Sequence, residues 1–542
     1  MLVALVATTA ASCTAAPDGP AVPTGRDEPI ATPTGPGGGT FRYGIGSPTA
    51  IVPPLAATPD DQAVVDAAFD SLTAWDDAGS PQPSAATTWS ADDALVEWRF
   101  TLRPGASFHD GTSVTAADFA AAWATLVAEG GYGYLLADVV GYEAARDGDG
   151  VDLAGVRVVD DLTLEVSLTR PRADFATVVG HPALGPVHRG QRERDEEGWR
   201  SQPLGNGPFA LTEPWARGDF IRAAAWEGWR NGDRAEGGIA EVLFRIGDLD
   251  INYLAFTQGR RDLSPVPSDA LALAAEEYPA RGGEWDGPGL ITGRRPEVYL
   301  LAMNPAVPPY DDVAVREAVS LVVDRAGLAA ANEGGNLDPA TGLLPPSLPG
   351  ARADTCELCT FNTTGAQQRL EDADVDELAI WFNAEGGHER IRNAIRAALS
   401  GIGVRLVSNG RRPPPDLAAY QDLLETGEAG LFRLPLVADV PSGLSVLYPL
   451  LHGDEVPARG GMNYMRYDNA QVNSLLDQAA ATGDDQQRQD LLRRVESLAL
   501  NRDHVVVPLF TYRHAVVVAE RVRDLRYGPM GLVDLTRVSL VG

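Results

Sequence analysis

The sequence predicts a mixed α/β fold in which strands and helices are interleaved along the chain. Hydrophobic residues make up 44% of the 542 residues, the usual share for a protein with packed cores. The 57 glycines and 40 prolines divide the chain into short elements joined by turns. Segments with apolar residues at every second position, typical of strands, alternate with segments of helical periodicity. At roughly 150 residues per domain, the length corresponds to about three to four domains.

In the first half of the chain, the clearest elements are a strand and the helix after it. Residues 96–102 alternate between apolar and polar side chains, which predicts a half-buried strand. A turn follows at 108–112, and Thr115 with Asp118 matches the capping box that opens a helix. The other elements predicted here are a strand at 41–51, a helix at 61–73, two strands in 150–169, and a strand with a helix in 239–263.

In the second half, the clearest element is an amphipathic helix over residues 313–331. Val315, Ala318, Val319 and Val322 fall on one face at helical spacing. The other elements predicted in this half are strands at 298–303, 404–407 and 505–516 and helices near 389–400 and 485–500.

The charge balance excludes several functions. The chain has 44 basic and 75 acidic residues, a net charge of −31, so its surface repels nucleic acid backbones. Every basic residue is Arg. The absence of Lys excludes a Schiff-base lysine and the phosphate loop that depends on one. No GxSxG or HExxH pattern is present, and the seven histidines have no metal-ligand spacing, so the sequence indicates no enzyme, metal site or cofactor.

The first 40 residues are predicted to be a secretory signal and a flexible tether. Residues 1–12 are apolar or small, and the segment after Cys13 is rich in Pro, Gly, Thr and Ala. Cys13 follows small residues, as the lipidated cysteine of a bacterial lipobox does, although no basic residue precedes the apolar run. The alternative is an ordinary secretory signal with an incidental cysteine. No later stretch has the roughly 20 apolar residues that span a bilayer.

The remaining cysteines, Cys356 and Cys359, form a CxxC motif. Such a motif is compatible with a redox pair, half of a zinc site or a local disulfide. There is no second CxxC, and the nearest histidine is His388. In an exported chain, a structural disulfide is the expected state.

Several segments, in order along the chain, resemble the bacterial extracellular solute-binding proteins of family 5, the oligopeptide, dipeptide and nickel receptors of ABC importers. The most specific is WRFTLRPGASFHDGTSVTAADF at 98–119, where strand, turn and cap agree. The other matching segments are PLGNGPFAL (203–211), GRRDLSPVP (259–267), PYDDVAVREAVSLVVDR (309–325), LLPPSLPG (343–350) and NYMRYDNAQVNSLLDQA (463–479). The resemblance covers about residues 41–542.

The resemblance implies a two-lobed clamp of the type II periplasmic-binding-protein kind, with ligand held between lobes that close about a hinge. The first lobe is expected to combine residues 41–74, 201–295 and 508–542. A small extra domain is expected at 75–200, and the second lobe at 296–507.

The resemblance also implies where a ligand binds. In LFRLPLVADVPSG (431–443), Asp439 falls on the position that pairs with a peptide ammonium, and Arg433 on one that meets a peptide carboxylate. Alternatively, Asp439 is a turn residue and Arg433 a solvated strand residue. Leu436 and Pro435 replace the Trp and Gly usual in the family. The other expected contacts are Val437, Ala57, Thr58, Asn304 and Asn463, of which the two asparagines could equally serve local turns.

We therefore expect a monomeric, lipid-anchored extracytoplasmic receptor that captures an oligopeptide and delivers it to the permease of an ABC importer. Its only expected contact with the membrane, apart from the permease, is the lipid on Cys13. The alternatives are a receptor for another solute, such as an oligosaccharide or a nickel complex, and a sensor or adhesin without a transport role. A hydrolase is disfavoured because no nucleophile constellation is present.

Overall fold

The computed structural model describes residues 38–148, 153–231, 237–278, 289–331, 335–384, 386–408, 413–457 and 461–541. The predicted signal segment, Cys13 and most of the predicted tether lie outside these ranges. Within them, no helix is both long enough and apolar enough to cross a bilayer.

The strands and helices alternate from one end of the described chain to the other. The strands are β1 (Thr40–Ile45), β2 (Thr73–Trp75), β3 (Pro81–Pro83), β4 (Ala86–Ala91), β5 (Glu97–Leu102), β6 (Val156–Asp160), β7 (Thr163–Ser167), β8 (Phe209–Leu211), β9 (Phe220–Ala225), β10 (Glu241–Ile246), β11 (Leu263–Pro265), β12 (Gly289–Met303), β13 (Leu337–Pro339), β14 (Glu377–Ala379), β15 (Arg405–Val407), β16 (Leu431–Val437), β17 (Val506–Val518), β18 (Val522–Arg523) and β19 (Ser539–Leu540). The α-helices are α1 (Pro59–Ala68), α2 (Ala116–Glu129), α3 (Tyr142–Arg146), α4 (Phe175–Val178), α5 (Arg189–Arg194), α6 (Glu196–Ser201), α7 (Leu249–Thr257), α8 (Leu271–Glu277), α9 (Val313–Leu321), α10 (Arg325–Ala330), α11 (Thr363–Asp372), α12 (His388–Gly401), α13 (Leu417–Glu425), α14 (Gly443–Leu451), α15 (Ala470–Ala480) and α16 (Asp485–Ser497).

The alternating segment and the capping box are confirmed. Residues 97–102 form β5, with Trp98, Phe100 and Leu102 buried and the residues between them exposed. Thr115 and Asp118 form a reciprocal capping box at the start of α2. The single helix predicted over 313–331 is wrong, because the chain forms α9 and then α10. The Asp324 carboxylate accepts a hydrogen bond from the Gly327 amide and thereby caps a new helix.

The largest sheet joins strands from distant parts of the sequence. Its order is β16-β12-β17-β11-β1-β10-β9-β8, with β13 also paired to β17. The two long strands β12 and β17 run antiparallel, and their pairing is interrupted between Arg294 and Val298. In one half of the β12–β17 pair, β17 is hydrogen-bonded to β11, which in turn pairs with β1. In the other half, β12 is hydrogen-bonded to β16. Two long strands therefore connect the two halves of the molecule, as in a two-lobed clamp. The domain boundaries given above remain predictions.

Alternation along β12 places hydrophobic cores on both faces of the sheet. Val298, Leu300 and Ala302 pack into the core that contains Phe432 and the helices α14, α15 and α16. Tyr299, Leu301 and Met303 pack into the opposite core with α9 and α11. Because side chains alternate between the two faces of a strand, an apolar run such as VYLLAM serves both cores.

A separate four-stranded sheet, β4-β5-β7-β6, supports one wall of the candidate site. Trp98, Phe100, Trp123 and Phe175 are buried together in the core between this sheet and α2. Val440, from the chain just after β16, is buried in the same core. The small sheet is thereby fixed to the far end of β16.

Candidate functional site

A cavity of about 580 Å³ lies where the small sheet domain faces β16. One side is lined by residues from 134–138 and 170–172. The other side is lined by residues from 417–424, 434–440 and 444–450 and by Glu455, Gly461, Met462, Tyr464 and Ala480. We call this the Asp439 cavity.

The strand β16 is the edge of the largest sheet and presents backbone groups toward this region. The Arg433 amide donates to the Trp381 carbonyl on the side away from β12, and the Trp381 amide donates to the Leu431 carbonyl. In an antiparallel pair, alternate residues point their amide and carbonyl to the same side. Pro435 and Val437 therefore also point outward, where no backbone group of the described chain pairs with them. Val437 is 48% exposed.

Asp439 lies just beyond β16 and lines the cavity. The Tyr134 hydroxyl donates a hydrogen bond to its carboxylate. Among the described residues, no arginine or histidine forms an ion pair with Asp439. Burial raises its pKa above the usual value, and the Tyr134 hydrogen bond offsets only part of that shift. Burial and the nearby Asp439 charge raise the pKa of Tyr132 to about 12.

Two arginines line the opposite wall, and each is matched by acids. Arg170 donates to Asp138 across 2.5 Å and lies 3.5 Å from a Glu455 carboxylate oxygen. Its guanidinium also stacks 3.7 Å from the centre of the Tyr448 ring. Arg172 contacts Asp138 at 3.0 Å and Asp174 at 3.3 Å. Neither arginine is available to neutralise Asp439.

The buried Asp174 links the two walls. Its carboxylate accepts hydrogen bonds from Ser442 at 2.5 Å and Ser445 at 2.6 Å, and both serines lie at the start of α14. Burial alone would raise the pKa of Asp174, but the Arg172 charge and the two hydroxyl donors outweigh burial and hold it below the usual value. The carboxylate is therefore ionised at neutral pH.

Arg433, at the other end of β16, is 5% exposed. Its guanidinium donates to the Asn383 side-chain oxygen across 2.6 Å and lies 5.0 Å from the centre of the Tyr420 ring. Within the described chain, no carboxylate forms an ion pair with it. The Tyr299 hydroxyl and a His388 ring nitrogen are 3.0 Å apart nearby. Burial, assisted by the Arg433 charge, lowers the pKa of His388 to about 4, so this histidine is neutral at neutral pH.

Ala57 and Thr58 lie at the start of α1 and are engaged locally. Their amides both donate to the buried Asp61 carboxylate, at 2.8 and 3.0 Å. The Thr58 hydroxyl accepts from the Asp61 amide as the helix N-cap. Their backbone amides are therefore occupied, and a ligand role for either residue remains a prediction.

The two asparagines are buried and also hold local structure. Asn304 contacts the Gly427 carbonyl and the Ala306 amide. Asn463 contacts the His452 carbonyl and both the carbonyl and the amide of Tyr467. Neither lines the Asp439 cavity. Their ligand contacts are still only predicted.

The cysteine pair lies away from the cavity. Cys356 and Cys359 are joined by a disulfide, and the Cys356 amide donates to the Thr341 carbonyl. Elsewhere in the described ranges, no group of three or more His, Cys, Asp or Glu side chains is arranged to hold a metal.

Sequence reasoning missed Tyr134, Arg170 and Arg172 of the opposite wall, and also Tyr132, whose pKa is raised in part by the Asp439 charge. Tyr132 and Tyr134 lie in GYGY (131–134), a glycine-flanked aromatic pair, and this composition was the one local signal available. Arg170 and Arg172 flank Pro171 in a loop whose sequence gives no indication of its partners. Their contacts with Glu455 and Ser445 span more than 250 residues, so only the fold brings them together.

Comparison with known proteins agrees with this geometry. Residues 80–458 match the family described as bacterial extracellular solute-binding proteins, family 5 Middle. The chain is 24% identical over 514 residues to the dipeptide-binding protein DppE of Bacillus subtilis, covering 90% of this chain and 89% of DppE. It is 28% identical over 505 residues to the probable deoxycholate-binding periplasmic protein YgiS of Escherichia coli, covering 89% of this chain and 90% of YgiS. The unliganded open form of the murein tripeptide binding protein MppA superposes with a TM-score of 0.79 at 21% identity, covering 94% of this chain and 99% of MppA.

The fold and the ligand-sized cavity define a receptor of the type II periplasmic-binding class. The chain belongs to the bacterial extracellular solute-binding proteins of family 5. It is therefore an extracytoplasmic solute receptor.

Proposed function

We propose that this receptor captures a short peptide along the outer edge of β16 and delivers it to the permease of an ABC importer. The observation that carries the proposal is a pair of uncompensated charges at the two ends of one edge strand. Asp439 has no cationic partner and the buried Arg433 no anionic partner among the described residues. A free peptide supplies the missing ammonium and carboxylate.

The separation of these charges fits a short extended peptide. Asp439 is six positions after Arg433, which corresponds to about 20 Å at roughly 3.3 Å per residue. Because both side chains reach toward a bound chain, the charged groups are closer than their α-carbons. About three to five extended residues span the gap at roughly 3.5 Å each.

The free backbone groups of Val437 and the Pro435 carbonyl lie between the two charges. A peptide can add to such an edge as a further strand, so that main-chain hydrogen bonds provide affinity. An ammonium–carboxylate contact at about 4 Å adds on the order of 4 kcal/mol at an effective dielectric near 20, before desolvation. The pair of terminal charges therefore provides the principal polar term.

Two of the three relatives named above support a peptide ligand. DppE is named as dipeptide-binding and MppA as murein tripeptide binding, whereas YgiS is named as probable deoxycholate-binding. The described lining of the Asp439 cavity includes Tyr134, Tyr420, Tyr448 and Tyr464 but no tryptophan of the kind that stacks on sugars. This composition favours a peptide over an oligosaccharide. The proposal also states that the receptor is a monomer without catalytic activity and that a lipid on Cys13 anchors it to the membrane. Mass spectrometry of the mature N-terminus tests for this lipid.

Calorimetry with three forms of one tetrapeptide tests the proposal. We expect the free peptide to bind. The N-acetylated form and the C-amidated form should each bind at least about tenfold more weakly, a loss of roughly 1.4 kcal/mol for each modification. The variant Asp439→Asn should remove the effect of acetylation, and Arg433→Gln the effect of amidation. Asp147→Asn, at an exposed position, is the matched control. Equal affinity of all three forms for the unaltered protein would refute the terminal-charge mechanism.

A further inference from the structure

Part of the lining of the Asp439 cavity is apolar. It includes Leu417, Leu424, Leu434, Met462 and Tyr464, which we call the apolar wall. Leu436, where the family usually has a tryptophan, contributes a smaller side chain to the same lining. The resulting space is therefore suited to a hydrophobic group rather than to a solvated one.

The charged groups of the lining leave a single uncompensated charge among the described residues. Arg170 and Arg172 are matched by Asp138, Asp174 and Glu455 at distances of 2.5 to 3.5 Å. Within the described chain, Asp439 accepts a hydrogen bond only from the neutral Tyr134 hydroxyl. An occupant that uses both features of the lining has a cationic group at Asp439 and an apolar group against the apolar wall.

The volume sets the size of that apolar group. Pockets for drug-sized molecules measure roughly 300–1,000 Å³, and this cavity of about 580 Å³ lies within that range. The backbone of a peptide on the edge of β16 is polar and gives the apolar wall no apolar partner. Because burial of apolar surface is favourable, a large apolar side chain against this wall adds strongly to affinity.

We infer that the receptor selects ligands in which an amine is adjacent to a bulky apolar group, and that the apolar group packs against the apolar wall of the Asp439 cavity. This inference rests on the proposed placement of the ligand ammonium at Asp439. The same chemistry is offered by a peptide whose first residue is aromatic or large and aliphatic, and by an amphipathic amine without peptide bonds.

The test compares the peptides Phe-Ala-Ala-Ala and Gly-Ala-Ala-Ala, together with phenethylamine, by calorimetry. We expect the Phe peptide to bind at least about tenfold more tightly than the Gly peptide. The variant Met462→Trp fills part of the cavity and should reduce this ratio to below about threefold. A second variant, Leu417→Glu, places a charge on the apolar wall and should also reduce the ratio of Phe-peptide affinity to Gly-peptide affinity.

Leu249→Glu is a matched control for the second variant. Leu417 and Leu249 are each the first residue of a helix after an aspartate, and each is 44% exposed, but Leu249 does not line the cavity. The control should keep the Phe-to-Gly ratio of the unaltered protein. Equal effects of Leu417→Glu and Leu249→Glu would overturn the inference.

The outcomes separate this inference from the proposed function. Tight binding of both peptides without preference would overturn the inference and leave the peptide receptor intact. Binding of phenethylamine that Met462→Trp weakens, with no binding of either peptide, would support the inference and overturn the peptide proposal. Absence of binding by all three compounds would overturn both.

Discussion

The hydroxyl of Tyr134 donates a hydrogen bond to the carboxylate of Asp439, 305 residues further along the chain. This contact joins the small sheet domain to the end of β16. It also gives a partly buried carboxylate one neutral donor and, among the described residues, no cation. Desolvation of an unpaired charge is costly, and the Tyr134 hydrogen bond offsets part of that cost for the ionised Asp439 carboxylate in the ligand-free protein. The carboxylate stays available to an ammonium group.

The first prediction concerns Asp439 and Tyr134 as a pair. Asp439→Ala should weaken the binding of free-amine peptides at least about tenfold, because the ammonium loses its anionic partner. Tyr134→Phe keeps the carboxylate and removes only its competing donor, so its effect should be smaller than about tenfold. Calorimetry of both variants measures this order, and a larger loss for Tyr134→Phe than for Asp439→Ala would contradict it.

The second prediction is that peptide affinity depends on pH through Asp439. Burial raises its pKa in the ligand-free protein, and only the ionised carboxylate attracts an ammonium. Affinity should therefore fall as the pH decreases, beginning above the ordinary aspartate value of about 3.9. It should fall again as the ligand amine loses its proton above about pH 8. Calorimetry across this range measures both limbs.

Asp439→Asn is the control for both limbs. The amide does not titrate and does not attract an ammonium, so the decrease that begins above about pH 3.9 and the decrease above about pH 8 should both disappear in this variant. An acid limb that persists unchanged in Asp439→Asn would assign it to another group.

Local sequence signals predicted the elements that local interactions determine. The alternation in β5 and the capping box of α2 involve neighbours within a few residues, and both are confirmed. The break between α9 and α10 was missed because an amphipathic pattern continues through it. Asp324 was the available signal, since an aspartate three residues before a glycine can start a helix.

For the Asp439 cavity, the family resemblance pointed to residues of one wall only, Val437 and Asp439. Arg433, on the same edge strand as Val437, does not line the cavity, and the ligand contacts of all three remain predictions. The opposite wall depends on contacts between segments more than 250 residues apart, such as that of Arg172 with Ser445. No spacing in a sequence encodes such contacts when the loops that make them have no regular pattern.

The third prediction concerns Pro435, whose outward position on β16 lacks an amide donor. Pro435→Ala restores that amide without altering the charged groups. A peptide that starts at Asp439 meets Val437 first and reaches Pro435 about two residues later, because outward positions recur with a period of two. Tripeptides and longer peptides should gain roughly threefold to tenfold in affinity, the value of about one hydrogen bond.

Dipeptides are the internal control for this variant, since they are too short to use the restored amide. Their affinity should change by less than about twofold. An equal gain for dipeptides and tetrapeptides would show that the substitution acts by another route. The variant can lose up to about 1 kcal/mol of stability, because alanine leaves the unfolded chain freer than proline does.

The fourth prediction concerns Asp174, which holds the wall at 170–174 against α14. Asp174→Ala should lower the free energy of unfolding by about 3 kcal/mol. It leaves the hydroxyls of the buried Ser442 and the partly buried Ser445 without their acceptor, and it removes one of the carboxylates that contact Arg172. Asp147→Ala, which removes an exposed contact with Arg146, should cost less than about 1 kcal/mol. Urea unfolding of the two variants measures the difference.

The pH dependence of this contribution follows from the sign of the shift. The pKa of Asp174 is lower in the folded protein than its usual value of 3.8. Its stabilising contribution is thus fully present above that usual value and is lost as the pH falls through the lower folded value. The stability difference between the unaltered protein and Asp174→Asn should therefore be constant near neutrality and shrink only below about pH 4. A difference that instead grows as the pH falls from about 7 to about 5 would show that the folded state raises the pKa of Asp174 rather than lowering it.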